Sequence, residues 1–250
     1  MSNDLDFLHF DSFYATANPP LLNDPYDTTY TLANPIKNIK RIYLKSLELP
    51  IGFYNIRASN TTSTLQFTIG GLASSVTIPD GYYTSISSLI TVLNSAFTAL
   101  SLANNPVLSV NGNVVSVTLT TSASLYITKT NLSRIVLGLQ GSMASGTVYV
   151  APYNYLLAYD NYIAINFLNI PTKSNSYNTQ QITFKVPLNA VSNMVYFEAD
   201  NQSFTQFIEI LDIHYVMTNL RVAIYDRFGY RINGNGLDYT MTLAVSHHKE

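Results

Sequence analysis

The sequence predicts an all-β chain with one embedded α-helical segment, and three patterns carry that prediction. Apolar residues alternate with polar ones in most periodic segments, as in Ile42, Leu44, Leu47 and Leu49 or in Met241, Leu243 and Val245, and a period of two puts successive side chains on opposite faces of a strand. Glycines and asparagines punctuate these segments where tight turns need positive φ. One long stretch alone has helical spacing: Ile86, Leu89, Ile90, Leu93, Phe97 and Leu100.

Taken in order, residues 1 to about 30 show no sustained period and contain Pro19, Pro20 and Pro25. They read as an N-terminal arm outside the sheet, dispensable for folding, with Phe7, Phe10, Phe13 and Tyr14 placed to dock on a neighbour. Strands are expected from Thr29 to Ala33 and from Ile39 to Leu49, the second with a slip of alternation near Lys45 and an end at Pro50 and Gly52. Leu65 to Ile69 and Val76 to Ile78 flank Gly70 and Gly71, the pattern of a hairpin. A Pro-Asp-Gly turn and a Thr84 or Ser85 cap then start a helix over Ser85 to Leu102, ended by Asn104, Asn105 and Pro106. Val107 to Val110 and Val114 to Leu119 form a second hairpin across Asn111, Gly112 and Asn113. Asn131 to Leu139 reads as a short helix with Asn131 as its cap and a glycine near its end, and the Gly, Ser and Ala run at 141–146 as a flexible link.

Four or five further strands are expected, over Val148 to Ala151, Tyr162 to Ile170, Ile182 to Leu188, Met194 to Ala199 and Phe204 to Leu211. The chain closes on Leu220 to Val245, read as a terminal hairpin in which Asp226, Gly229, Asn235, Gly236 and Asp238 form the structural turn motif that sets register.

Composition narrows the function. At 250 residues without cysteine, the chain is long enough to bury a core without disulfides and offers no thiolate for metal binding or catalysis. Acids stand near the N-terminus where an export signal needs a basic region, and no run of about 18 apolar residues predicts a membrane span. Charged residues are 11% of the chain, with 19 Tyr and no Trp, against a usual charged share of about 25%. Low charge with abundant Tyr is the composition of surfaces covered by other subunits. A biased base composition would also raise Asn and Tyr, yet it would raise Lys as well, and Lys and Arg together number 13. The net charge of −2 gives no overall basic surface for nucleic acid.

No chemistry-bearing constellation stands out. His214, with Glu209 and Asp212 nearby, lacks a third metal ligand, and a lone histidine of this kind is ordinarily a packing or solvent-facing residue. No Gly-x-Ser-x-Gly elbow or Gly-Lys-Ser/Thr phosphate loop is present. The acids near strands, Glu198, Glu209, Asp212, Asp226 and Asp238, are placed to cap turns or pair with Arg221, Arg227 and Arg231. No enzyme, cofactor or metal is therefore expected. Tyr149, Tyr153, Tyr155, Tyr159 and Tyr162 form the candidate interface: Tyr is enriched where subunits meet, the lack of a basic cluster disfavours stacking with bases, and sugar binding is the main rival.

Two groups of motifs together bear a family resemblance. The segment DRFGYRINGNGLDYTMTLAV resembles the closing segment of the penton, or vertex, capsid proteins of virophages and polinton-like double-stranded DNA viruses. The order of a Pro-x-Gly-Tyr turn, a helix with Leu93 and Asn94, an Asn-Gly hairpin and a Leu-Gly-Leu helix resembles an insertion between strands of such proteins. The resemblance implies a single jelly-roll β-sandwich over residues 31–250 with a small α/β insertion at about 77–146. It implies a minor capsid protein of the virion, a homopentamer at the icosahedral vertex that meets the major capsid protein, made and assembled inside the host cell. Neither direct nucleic-acid binding nor membrane spanning is expected. A jelly-roll carbohydrate- or receptor-binding module, such as a spike head, is the alternative.

Overall fold

The computed structural model describes residues 5–17, 26–158, 160–171, 183–188, 194–198, 207–210 and 212–248. In chain order the first elements are β1 (Leu5–Asp11), β2 (Thr16–Ala17), β3 (Asp27–Lys37) and β4 (Ile39–Pro50). They are followed by β5 (Thr64–Ile69), β6 (Leu72–Thr77), the helix α1 (Ile86–Ala99), β7 (Val107–Asn111), β8 (Val114–Ile127) and β9 (Gly141–Asn154). The last are β10 (Tyr162–Phe167), β11 (Phe184–Pro187), β12 (Met194–Glu198), β13 (Phe207–Glu209), β14 (Val216–Tyr225) and β15 (Thr240–His247). The elements divide between two compact units, Met1–Phe53 with Asp160–Glu250 and Tyr54–Tyr159.

The first unit is built from two sheets, ordered β1-β15-β4-β12 and β11-β10-β14-β3-β2, with β13 also paired to β4. With β2 and β13 set aside, eight principal antiparallel strands remain, four in each sheet. Consecutive strands change sheet at every connection except β10 to β11, which pair with each other. That interleaving is the jelly roll. Strands of both sheets turn alternate apolar side chains to the same interior. Ile42, Leu44, Leu47, Leu243 and Val245 from one sheet meet Ile163, Ile165, Phe184, Val222 and Ile224 from the other in one buried cluster. The slip near Lys45 is a bulge: Ser46 faces Thr242 and Leu44 faces Leu243, so the extra residue on β4 restores both Leu44 and Leu47 to the core.

Two sequence expectations fail in this unit. Residues 5–17 are not an arm outside the sheet, because β1 pairs along its whole length with β15, from Leu5 opposite Ser246 to Asp11 opposite Thr240. Phe10 is buried there, its ring edge-on to Tyr30 at 4.8 Å. Alternation in β1 spans only Leu8, Phe10 and Ser12 while Phe7 points outward, too short a signal to separate from the aperiodic residues around it. The prolines Pro19, Pro20 and Pro25 lie outside the described residues.

Nor are β14 and β15 a hairpin. Strand β14 pairs with β3 and β10, and β15 with β1 and β4, so the segment between them crosses from one sheet to the other. Period-two alternation fixes which face of a strand is buried, and a sandwich buries the same pattern from either side.

The second unit is a five-stranded antiparallel sheet, ordered β6-β5-β8-β7 with β9 on the other side of β8. Helix α1 starts at Ser85, whose hydroxyl accepts from the Ser88 N–H, and buries Ile86, Leu89, Ile90, Leu93 and Phe97. Phe97 meets Phe67 of β5 edge-on at 5.4 Å. Both expected hairpins form, with Gly70, Gly71 and Gly112 at positive φ in their turns. The unit extends beyond residues 77–146, because β5 and β6 belong to its sheet and β9 runs on to Asn154.

The Gly, Ser and Ala run at 141–146 is not a flexible link. Gly141, Ser142, Met143 and Gly146 pair with Ile127, Tyr126, Leu125 and Ala123; small residues suit a strand lying beside the bulged half of β8. The predicted short helix is a π-helical turn, Leu132–Val136. Asn131 is already helical and makes no capping bond; its side chain donates to the Asn60 carbonyl instead. Thr130 and Ser133 cap the turn reciprocally, the Thr130 N–H donating to the Ser133 hydroxyl at 2.9 Å and the Ser133 N–H to the Thr130 hydroxyl at 3.1 Å. Gly138 is required on two counts: its φ is +68°, and a Cβ there would stand 2.2 Å from the Tyr153 carbonyl oxygen.

Candidate functional site

The residues predicted to form the turn motif do organise the connection between β14 and β15. Asp226 accepts at one carboxylate oxygen from the N–H groups of Phe228 and Tyr230, both at 2.9 Å, and Gly229 takes positive φ in the same loop. Further on, Asn235 (φ +54°) and Gly236 (φ +77°) turn the chain, and the Asn235 amide donates to the Gly52 carbonyl at 2.6 Å. Asp238 accepts from the Ser12 hydroxyl at 2.9 Å. These five residues therefore tie the crossing segment to the end of β4 and to the turn after β1; they do not align β14 with β15. Ser12 was not anticipated, since its role depends on a partner 226 residues away in sequence.

The tyrosines are not brought together on one element. Tyr149 and Tyr153 lie on β9, and Tyr155 just beyond it. The Tyr149 hydroxyl is engaged by the Gln140 carbonyl and burial raises its pKa, whereas Tyr153 is exposed. Tyr162 begins β10 in the other unit, with the Lys185 ammonium 4.2 Å from its ring centroid. Tyr159 lies outside the described residues.

The surface features of the two units differ in kind. In the first unit, Phe13 and Tyr14 stand 70% and 83% exposed on the turn after β1, ring to ring at 5.1 Å, with Phe7 exposed on β1. In the second, the sheet face opposite α1 carries cross-strand rows of small and β-branched residues. Val107, Thr118 and Val148 form one row, and Ser109, Ser116 and Val150 the next. Val148 and Val150 are more than half exposed. Tyr54–Tyr159 contain only four charged side chains, Arg57, Asp80, Lys129 and Arg134, of the chain's 13 Lys+Arg and 15 Asp+Glu. None lies in β7, β8 or β9. The low charge of the sequence is thus concentrated in the second unit, and the domain division needed to see that is not evident from composition alone.

No cluster of three or more His, Asp or Glu side chains that could hold a metal ion is present among the described residues. His214 sits in an exposed turn rather than a strand, its N–H donating to the Asp212 carboxylate at 2.9 Å. Glu209 pairs with Arg41 at 2.7 Å, which lowers its pKa, and the side chain of Glu198 lies outside the described residues. An apolar hollow of about 220 Å³ lined by Ile69, Leu72, Leu102 and Ala123 falls below the roughly 300 Å³ of ordinary small-molecule sites. No helix among the described residues is long and apolar enough to cross a membrane.

An eight-stranded jelly roll that carries its helix-and-sheet unit between the third and fourth principal strands can be compared with known structures as a whole. The crystal structure of SeMet-labeled mavirus penton protein is similar to it over 98% of this chain and 100% of that one, with a TM-score of 0.54 and 11% sequence identity. The fold is penton-like. At that identity the likeness is one of architecture, and it includes the all-β class and the single jelly roll. No protein-family model matches the sequence, and no curated protein is similar to it. The penton-like fold spans both units, which accounts for a sequence resemblance that falls partly in the insertion and partly at the chain's end.

Proposed function

We propose that this protein is a structural capsid subunit, the penton that forms the icosahedral vertices of a virion as a homopentamer. The observation that carries the reading is the match of the whole penton-like fold, insertion included, over nearly the full length of both chains. A charge-poor second unit and exposed aromatics on the first agree with a protein whose surfaces are covered by other subunits. Its partners are other copies of itself and the major capsid protein around the rim. The reading involves no catalytic step, cofactor or direct contact with nucleic acid, and it places the protein in the capsid after synthesis in the host cell.

Reconstitution tests it. Mixed with its cognate major capsid protein, the protein should occupy the five-fold positions of the shells, as seen by electron microscopy with a tagged copy. Closed shells with the tag absent from the vertices, or spread over the facets, would reject the vertex role. Strong, selective glycan-array binding together with failure to join shells would favour the receptor-binding module.

A further inference from the structure

We propose that the outer edge of β9 receives a strand from a second copy of this chain, and that the strand it receives is β6. The proposal rests on the homopentamer reading and names the contact within it.

The second unit satisfies the backbone of its sheet unevenly. A strand at the edge of a sheet directs every second N–H and C=O away from its partner. Elsewhere in this sheet, asparagine side chains close the openings. Asn94 of α1 donates to the Leu108 carbonyl at 2.9 Å and accepts from the Leu108 N–H at 2.8 Å, which blunts the edge strand β7. Asn104 does the same for Thr121, at 2.9 and 3.1 Å, in the gap that β5 and β7 leave along β8. At the far end of β9, the turn holding Gly138 lies against Tyr153 and Asn154.

Between residues 142 and 152, by contrast, β9 has main-chain partners only on its β8 side among the described residues. This stretch has no charged residue and its one proline, Pro152, stands at its end; register shifts against β8 between residues 143 and 146 and between 150 and 154 leave 146–150 as the part of the edge without an extra residue. Exposed Val148 and Val150 flank it.

A second copy fits this edge better than a foreign strand because the sheet's opposite edge is also open. Strand β6 pairs only with β5 among the described residues and carries no charge in its six residues. At about 3.3 Å per residue it spans roughly 20 Å, comparable with the roughly 17 Å of β9 between residues 146 and 150. Joining two different edges is a heterologous contact, the type that closes rings rather than dimers.

The absence of native cysteine makes a cross-linking test specific. One variant carries Thr147→Cys on β9 and another Ser75→Cys on β6, both exposed positions. Mixed and treated with a short bis-maleimide, each end of which adds one thiol across its C=C bond to form a thioether, they should give the mixed dimer at least tenfold above either self-pair. Ser95→Cys, on the exposed side of α1, should stay uncoupled to both. In parallel, the double variant Val148→Lys, Val150→Lys should keep the wild-type circular dichroism and weaken ring assembly at least tenfold. A wild-type ring that persists in the lysine variant and yields no mixed cross-link would overturn this contact while leaving the pentamer intact. A wild-type protein that never assembles would overturn both. Should the lysine variant misfold, the cross-linking result decides alone.

Discussion

The two units hold themselves together by different means. In the jelly roll, Asp27 is fully buried and engaged by two guanidinium groups, Arg221 at 3.3 Å and Arg231 closer still. Nearby, burial pushes the Tyr30 phenol up to about 12 and raises that of fully enclosed Tyr239 well above its ordinary value. The unit at Tyr54–Tyr159 combines an apolar helix-on-sheet core with neutral amide bridges from Asn94 and Asn104. Both units have apolar cores, and to its own the jelly roll adds a buried carboxylate–guanidinium cluster where the other adds amide bridges. Solution conditions should therefore separate them, and the following experiments are ordered by the size of the expected effect.

Phe97→Ala removes the ring that joins α1 to Phe67 and should cost about 4 kcal/mol in the second unit. The loss, read by urea unfolding, should be the same at 0.1 and 1 M salt. Asp27→Ala leaves two guanidinium groups without their buried carboxylate, and should cost the first unit about 3 kcal/mol. That figure is at the low end for a broken buried pair because Arg221 and Arg231 are 37% and 26% exposed and can reach water. A loss below about 1 kcal/mol would show that the cluster is dispensable and that the contrast between the units is false.

Alkaline pH should act more strongly on the jelly roll, whose Tyr30 and Tyr239 phenols are deeply buried, than on the other unit, where burial raises the pKa of the only partly buried Tyr83 and Tyr149. Below pH 10 the tyrosines are neutral in both folded and unfolded chains, so stability is unaffected. Above pH 10 the unfolded phenols ionise while buried Tyr30 does not, so stability falls by about 1.4 kcal/mol per pH unit until about pH 12, roughly 2.7 kcal/mol in all for that residue. Hydrogen exchange followed from pH 9 to 11 should show strands β3 and β15 losing protection before β5 and β8. The reverse order would contradict the assignment.

The smallest effect is expected at Gly236, where φ is +77° but an added Cβ meets nothing within 4 Å. Gly236→Val should cost about 1–2 kcal/mol from backbone strain alone, as a modest fall in melting temperature with the fold retained.

How far these contrasts were legible in the sequence follows from the range of each interaction. Helix α1, the two glycine hairpins and the slip at Lys45 are local, and their periods and turn residues point to them directly. The alternation of Met241, Leu243 and Val245 revealed a buried strand but not its partner, since the same pattern serves a hairpin or a sandwich crossing. Strand β1 was missed because its inward side chains are few and its neighbours aperiodic. Strand β9 was read short because Gly, Ser and Ala are weak strand formers, and here the bulged partner β8 overrides propensity. The predicted interface tyrosines were chosen by proximity in sequence, and the boundary between the units at Tyr159 and Asp160 separates Tyr162 from the rest. The Asn94 and Asn104 bridges have no sequence signal beyond an asparagine in or after a helix, because their acceptors lie 14 and 17 residues away.

The central claim is that five copies of this chain close into a ring. Native mass spectrometry of the intact protein at micromolar concentration tests it most directly: the account predicts a dominant species of about 139 kDa, five times 27.8 kDa, and a strict monomer or a trimer under the same conditions would contradict it.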